Sequence, residues 1–360
     1  MKTYNFSAGP AVLADDVLKV SSDYILDYAK SGMSVLEMSH RSKPIVSLFN
    51  EATSRTKDLL NIPEGYSILW LQGGASLQFS MVPINLLPED GSADYIVTGS
   101  WSLKAVQECK KIGKAKIIAS SEDENFSYIP KDFSQSSNSE YLHITSNNTI
   151  YGTQYKIFPK VESKDGYLVA DMSSDILSRP INVSKFGLIY AGAQKNMGPA
   201  GVTLVIIRDD ILEERKTEIA TMLDYKTHIK KASMFNTPPV FSVFVVNETL
   251  KWIEKIGGLD SISKVNQCKA DKLYEEIRRN SIFTSLINEE DRSLMNVPFI
   301  FSDKSLKDSD FLDFCIKRNL YSLKGHRSVG GFRASIYNAM PEKGIDALIS
   351  AMQDFEKKLN

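Results

Sequence analysis

The sequence predicts an α/β protein with a mainly parallel, mixed seven-stranded sheet flanked by helices, followed by a smaller α+β domain. Seven short, near-continuous apolar runs alternate with helical patterns between residues 60 and 260. Such runs suit strands covered on both faces. The chain has 360 residues, more than the roughly 250–300 that one hydrophobic core usually serves.

In chain order the expected strands are "YSILWL" (66–71), "DYIVTG" (94–99), "AKIIAS" (115–120), "EYLHIT" (140–145), "GYLVAD" (166–171), "FGLIYAG" (186–192) and "VTLVIIR" (202–208). All seven read as buried. The last follows its predecessor too closely for a helical crossover, so it is expected to lie antiparallel in the same sheet. Residues 238–256 open on Pro238-Pro239 and close at Gly257-Gly258, the asymmetry of helix ends. From about 259 the pattern changes to a long amphipathic stretch, the strand-like "VPFIFS" (297–302), a helix at 308–318, "GGFRASIYN" and a charged helix at 343–358. The expected division is an N-terminal segment 1–15, a large domain 16–258 and a small domain 259–360.

Lys plus Arg number 43 and Asp plus Glu 44. That balance gives no electrostatic reason to expect nucleic acid or an anionic membrane as partner. Cys109, Cys268 and Cys315 are far apart and show no CxxC spacing. They argue against a disulfide framework or a thiolate metal site, and no metal is expected. The N-terminal residues lack a signal-type apolar region, and no run approaches the ~20 residues of a membrane span. The expectation is a soluble cytoplasmic protein.

In an open parallel sheet, ligands sit beyond the carboxyl ends of the strands. Those ends carry "QGGAS" (72–76), "GSW" (99–101), "SNNT" (146–149), Asp171, and Gln194-Lys195. A Gly-rich turn opening a helix offers bare N–H groups and a positive dipole end to a phosphate, with Ser76 as a further donor. Trp101 offers a flat face to an aromatic ring. Asp171 can keep a pyridinium nitrogen protonated. A buried lysine with a lowered pKa, such as Lys195, can form a Schiff base with an aldehyde. Together these are the needs of pyridoxal phosphate. Each residue alone also fits a plainer role: a turn with an N-cap, a core or interface Trp, an acid capping a helix begun by "SSD", a lysine lying along apolar neighbours. Arg333, in "GFRASIY", suits the α-carboxylate of an amino acid, which a guanidinium clasps through two hydrogen bonds. His143 reads as a core histidine and His228 as solvated.

Here the chain resembles the phosphoserine aminotransferase family, a class V branch of the fold type I, aspartate-aminotransferase-like pyridoxal-phosphate enzymes. The resemblance runs through "NFSAGPAVL", "MSHRSK" (38–43), "LQGGASLQF" (71–79), "TGSWS", "SNNTIYGTQ", "ADMSSDILSRP", "YAGAQKNMGPAGV", "NTPPVFSV" (236–243) and "GHRSVGGFRASIYNAM" (325–340). It implies that Lys195 carries the cofactor as a Schiff base, one per subunit, and that Asp171 meets its ring nitrogen. Trp101 would stack on the ring and Thr149 would bond its phenolic oxygen. Ala75, Ser76 and Gln194 would hold the phosphate, with Asn236 and Thr237 reaching in from the second subunit of a homodimer. His40-Arg41 and His326-Arg327 would receive the distal anion of the substrate beside Arg333. The N-terminal "SAGP" would lie over the substrate, near the small domain.

The implied reaction is reversible amino transfer between glutamate with 3-phosphooxypyruvate and 2-oxoglutarate with O-phospho-L-serine, the serine-forming step. A phosphorylated hydroxy-threonine substrate, 4-phosphooxy-L-threonine, leading to pyridoxine, is a further family possibility. One departure is Ser76, where some members carry Arg, which would leave the phosphate to hydroxyl and backbone donors. The rival readings are an alanine–glyoxylate-type aminotransferase, a cysteine desulfurase and a non-catalytic protein that keeps the fold and the cofactor. The doubled His-Arg set separates the first, since a small uncharged side chain would not require it.

Overall fold

The structure, a computed structural model, describes residues 3–212 and 218–359. The chain begins with β1 (Tyr4–Asn5) and two helices, α1 (Asp15–Leu26) and α2 (Lys43–Leu59). The strand-and-helix region follows with β2 (Tyr66–Leu71), α3 (Gly74–Leu86), β3 (Ser92–Val97), α4 (Ser100–Cys109) and β4 (Lys114–Ser120). It continues through β5 (Tyr141–Thr145), β6 (Tyr167–Asp171), β7 (Phe186–Gly192) and β8 (Thr203–Arg208). These strands make one seven-stranded sheet in the order β2-β8-β7-β6-β5-β3-β4. Only β8 runs against its neighbours, antiparallel to both β7 and β2, as the short link from residue 192 to 203 requires.

Strand alternation divides the interior into two layers. On β7, Ile189 and Ala191 face a core shared with Val17 of α1, Leu48 and Phe49 of α2, and Val243 and Phe244. Leu188 and Tyr190 face the opposite core, shared with Phe79 and Val82 of α3 and Val106 of α4. Each such side chain taken wholly out of water contributes about 1.5–3 kcal/mol. Covering both faces explains why β5, β6 and β7 are buried at every position.

The run "AKIIAS" is a correction. It forms β4, but at the sheet edge, where β3 is its only partner among the described residues and Ile117 is 40% exposed. An edge strand lacks a second neighbour, so apolar sequence there does not guarantee burial. The described strand β3 also begins and ends two residues before the expected 94–99, because Thr98 and Gly99 form the turn into α4.

Past the sheet come α5 (Tyr225–Lys230), α6 (Val240–Lys255) and α7 (Gly258–Arg279). Pro239 caps α6, and Gly257 in the left-handed region at φ 99° starts α7 directly after it. The remaining elements are β9 (Phe283–Thr284), β10 (Asn296–Phe301), α8 (Asp308–Ile316), β11 (Leu320–Tyr321), β12 (Phe332–Ser335) and α9 (Glu342–Leu359). They form the smaller α+β part, with a three-stranded sheet β12-β10-β9 under α7, α8 and α9. Its centre is aromatic: Phe283 lies 4.9–5.9 Å from the rings of Phe299, Phe301, Phe311 and Phe332. The N-terminal strand β1 pairs with β11, and Phe6 enters this third core. His228 is a second correction: it is buried, with Nε2 on the Met222 carbonyl, because α5 folds back onto β2. Among the described residues no helix is long and apolar enough to cross a membrane.

Candidate active site

Sheet register brings the strand ends together. Leu71 pairs with Thr203 and Thr203 with Gly192, so the turn after β2 lies beside the turn after β7. Asp171 pairs with both Thr145 and Tyr190. Its side chain therefore points to the layer of α3 and α4, whose N-termini open at the same sheet edge.

Lys195 follows β7 in the turn Ala193–Met197 and is partly covered. Its Nζ donates to the Thr149 hydroxyl at 3.0 Å and lies 5.4 Å from the Trp101 ring centre. Burial of the amine pushes its pKa down, Asp171 and Asp175 oppose this, and the Arg333 guanidinium adds to it. The N-terminal segment closes over the side chain. Ala11 donates its N–H to the Gln194 carbonyl at 2.9 Å, and a Cβ on Gly9 would stand 3.2 Å from the Lys195 Cγ. A lysine in this apolar stretch is thus an amine held under a lid, with its proton loosened.

Asp171 is 5% exposed. Burial raises its pKa, against the pull of Lys195 and of Ser173, whose N–H and hydroxyl donate to Oδ1 at 2.9 and 2.6 Å. Ser173 Oγ in turn accepts from the Gly192 N–H at 3.1 Å, tying the acid to the end of β7. No helix starts at "SSD"; residues 173–177 form turns, so a helix cap is not the role of Asp171.

Trp101 stands in the first turn of α4. Ser102 Oγ accepts the N–H of Thr98 and of Gly99 and donates to the Gly99 carbonyl, which fixes that turn. Gly99 is required by proximity: a Cβ there would meet Asn148 Oδ1 at 2.8 Å and Tyr151 at 3.0 Å, in the loop that carries Thr149. Ala75 and Ser76 lie in the first turn of α3, begun by Gly73 (φ 86°) and Gly74 (φ 65°). A Cβ on Gly73 would press into Leu77 at 2.5 Å. Gln194 folds its amide back over Gly192.

On the side of the smaller part, the Arg333 guanidinium donates to the Thr149 carbonyl at 3.2 Å. His326 Nδ1 pairs with Ser328 Oγ at 2.7 Å. Burial pushes the His326 pKa down, and Arg333, Arg327 and Lys104 push it further, so these cations share one neighbourhood. Arg41, Arg327 and Arg333 have no carboxylate partner among the described residues. Two further expected pairs lie on other segments. His40 and Arg41 sit in the loop before α2, and Thr237 accepts at its carbonyl from Gln72 Nε2 at 3.3 Å, with Asn236 beside it. Among the described residues neither pair is among the groups that shift the pKa of Lys195, Arg333 or His326.

Sequence reasoning missed three contributors. Lys104 lies 4.5 Å over the Trp101 ring. Tyr337 donates its hydroxyl to the Ala8 carbonyl at 2.8 Å and is reached by Asn296 and Thr149. Ser173 orients Asp171. Ser173 and Tyr337 lie inside "ADMSS" and "RASIYN", so their neighbourhood was visible, while their partners are distant in sequence. His143 is buried as expected, bonds Tyr190 Oη at 2.9 Å, and is pushed down to about 3 by burial.

The donor set fits a flat ring that carries an aldehyde, a basic ring nitrogen and a phosphate. A buried acid, a proton-poor amine, an indole face and a glycine-opened helix end converge, and the buried Trp101 Nε1 and Arg333 Nε have no partner. This is the donor set of a pyridoxal-phosphate aminotransferase on an α/β fold. The chain belongs to the class-V aminotransferase family, whose sequence model matches residues 3–348. Its relatives narrow the class. A phosphoserine aminotransferase of Azobacteroides pseudotrichonymphae is 52% identical, covering 99% of this chain and 98% of its own. One from Parabacteroides distasonis is 48% identical, covering 99% of this chain and all of its own. The phosphoserine aminotransferase structure from Bacillus circulans subsp. alkalophilus superposes with a TM-score of 0.96 at 45% identity, covering 100% of this chain and 99% of that one. The pyridoxal-phosphate-bound enzyme from Trichomonas vaginalis gives 0.93 at 42%, covering 98% and 100%. An alanine–glyoxylate aminotransferase from Nostoc gives 0.75 at 16%, a likeness of fold alone.

The opposing influences on Lys195 are separable in the cofactor-free protein. Arg333→Met removes a cation, so the pH profile for acylation of Lys195, followed by mass spectrometry, should move to higher pH. Asp171→Asn removes an anion and should move it to lower pH. Two unmoved profiles, or shifts of reversed sign, would contradict the assigned electrostatics.

Proposed function

We propose that this chain is a phosphoserine aminotransferase, moving the amino group of glutamate to 3-phosphooxypyruvate to give O-phospho-L-serine and 2-oxoglutarate. The observation that carries this reading is the pair of guanidiniums, Arg327 and Arg333, that share the neighbourhood of His326 without a carboxylate partner among the described residues, Arg333 also acting on Lys195. A substrate with an α-carboxylate and a second anion answers that excess of positive charge. Full-length relatives of that activity at about half identity support it.

When bound, pyridoxal phosphate supplies an aldehyde for covalent capture of amines and an electron sink for the charge left at Cα. Lys195 Nζ would be the point of attachment and, as the free amine, the base that takes the Cα proton and gives it back. Burial and the Arg333 guanidinium lower its pKa and so favour the free base, against Asp171 and Asp175. Asp171 would accept from the ring N–H and keep that proton in place. Trp101 would cover a ring face, and Thr149 would meet the phenolic oxygen. The first turn of α3, with Ala75 and Ser76, receives the phosphate together with Gln194. Arg333 clasps the α-carboxylate, while His326 and Arg327 take either the phosphate ester or the glutamate side-chain carboxylate. That shared use lets one pocket serve both half-reactions.

We assign His40, Arg41, Asn236 and Thr237 to the site of a second copy in a homodimer, since none of them is among the charges acting on Lys195, His326 or Arg333 of their own chain. Leu26 at 79% and Leu36 at 60% exposure precede the His40 loop in the chain and offer apolar surface for such an interface. The domain division at 258/259, with residues 1–15 bridging the parts, belongs to the same proposal. Cys268 is exposed and unpaired, which supports a reducing compartment, the cytosol.

Sedimentation equilibrium should return twice the 40.3 kDa chain mass; a monomer would leave His40 and Asn236 without a role. In steady-state assays with 2-oxoglutarate, phosphoserine should exceed alanine in kcat/KM by about 100-fold or more, and Arg327→Ala should erase most of that margin. Comparable values for the two amino acids in the unaltered enzyme would refute the anion pocket.

A further inference from the structure

Helix α7 carries a lysine that the reaction does not call for. Lys269 is fully buried, in the interior of the smaller part. Its Nζ donates to the main-chain carbonyls of Ile336 (3.1 Å), Tyr337 (2.8 Å), Asn338 (3.4 Å) and Met340 (3.2 Å). An ammonium has three hydrogens, so the four oxygens form a full cage around it. Burial pushes its pKa down to about 7 with Glu342 opposing, and hydrogen bonds from the charged form favour keeping the proton. Asn266, one helical turn earlier on the same face, donates to Asn338 Oδ1 at 2.8 Å.

The caged turn follows β12 directly and touches the site at two points. Asn338 donates its N–H to Asn196 Oδ1 at 3.0 Å, and Asn196 is the residue after Lys195. Tyr337 donates to the Ala8 carbonyl at 2.8 Å, one residue before the Gly9 that lies against the Lys195 side chain. Arg333 lies earlier, inside β12, where the ladder to β10 holds its main chain independently of the turn. Resting on the proposed amino transfer, we propose that Lys269 is a positioning residue: by caging the 336–340 carbonyls it sets the turn that holds Asn196 and Ala8 around Lys195. The reading separates two quantities. Loosening the turn misplaces the amine that moves the proton, while the carboxylate clamp at Arg333 stays in place.

The test compares Lys269→Met, Lys269→Arg and Asn266→Ala with the unaltered chain. Holoenzyme rates are measured with phosphoserine and 2-oxoglutarate, and amide hydrogen exchange is measured on the cofactor-free protein. Lys269→Met is expected to lower kcat by about 10-fold or more with the phosphoserine KM within about threefold. Exchange should quicken at 336–340 and 194–197 and nowhere else in the large sheet. Lys269→Arg, which keeps a cation and its donors, should recover part of the lost turnover. Asn266→Ala is the milder lesion and decides the matter if Lys269→Met does not fold: kcat should fall about threefold with the same local exchange pattern. A kcat within about twofold of the unaltered enzyme, a loss confined to KM, or unchanged exchange at 194–197 would each overturn the proposal. The exchange arm needs no substrate. An unaltered chain that failed to turn over phosphoserine would therefore count against the functional reading alone.

Discussion

The structure depends on one buried amine whose charge is contested. Lys195 Nζ lies where burial and Arg333 disfavour its proton and Asp171 favours it. Neither the sheet nor the helices need a lysine there; apolar residues flank it on both sides. Its cost is met by local arrangement: the Thr149 hydroxyl accepts from the amine, Ser173 fixes the acid, and the Gly9 main chain closes above. A charge removed from water persists only when partners of this kind surround it.

The supports come from all parts of the chain, and each has a local cause. Gly99 lets the Thr149 loop approach α4, Gly73 lets α3 begin at the sheet edge, and Tyr337 ties the N-terminal segment to the smaller part. Three arginines have the opposite character. Elsewhere arginines such as Arg55, Arg279 and Arg318 meet carboxylates. Among the described residues Arg41, Arg327 and Arg333 meet none, which is why the proposed function assigns them to the anions of the substrate.

Much of this was legible in the sequence. The strands from β5 to β8 are continuous apolar runs buried on both faces, so pattern and environment coincide, and the short link before β8 dictated its reversed direction. The strand-end residues Trp101, Thr149, Asp171 and Lys195 follow from topology, since a parallel sheet exposes its carboxyl ends together. The failures have physical reasons. Burial of β4 depended on its place at the sheet edge, and burial of His228 on α5 folding back onto β2; neither place is written in local composition. Asp171 resembled a cap because "SSD" can open a helix, yet its partner Ser173 makes a turn instead. Lys269 and Tyr337 act through main-chain carbonyls more than 60 residues away, which no spacing rule reveals.

The assignment of Lys195 as the attachment point is open to direct chemistry. Borohydride reduction of the purified, cofactor-loaded protein, followed by peptide mass spectrometry, should find a pyridoxyl group fixed to Lys195 and to no other lysine. A label absent from Lys195, or fixed instead to Lys104 or Lys269, would contradict the account.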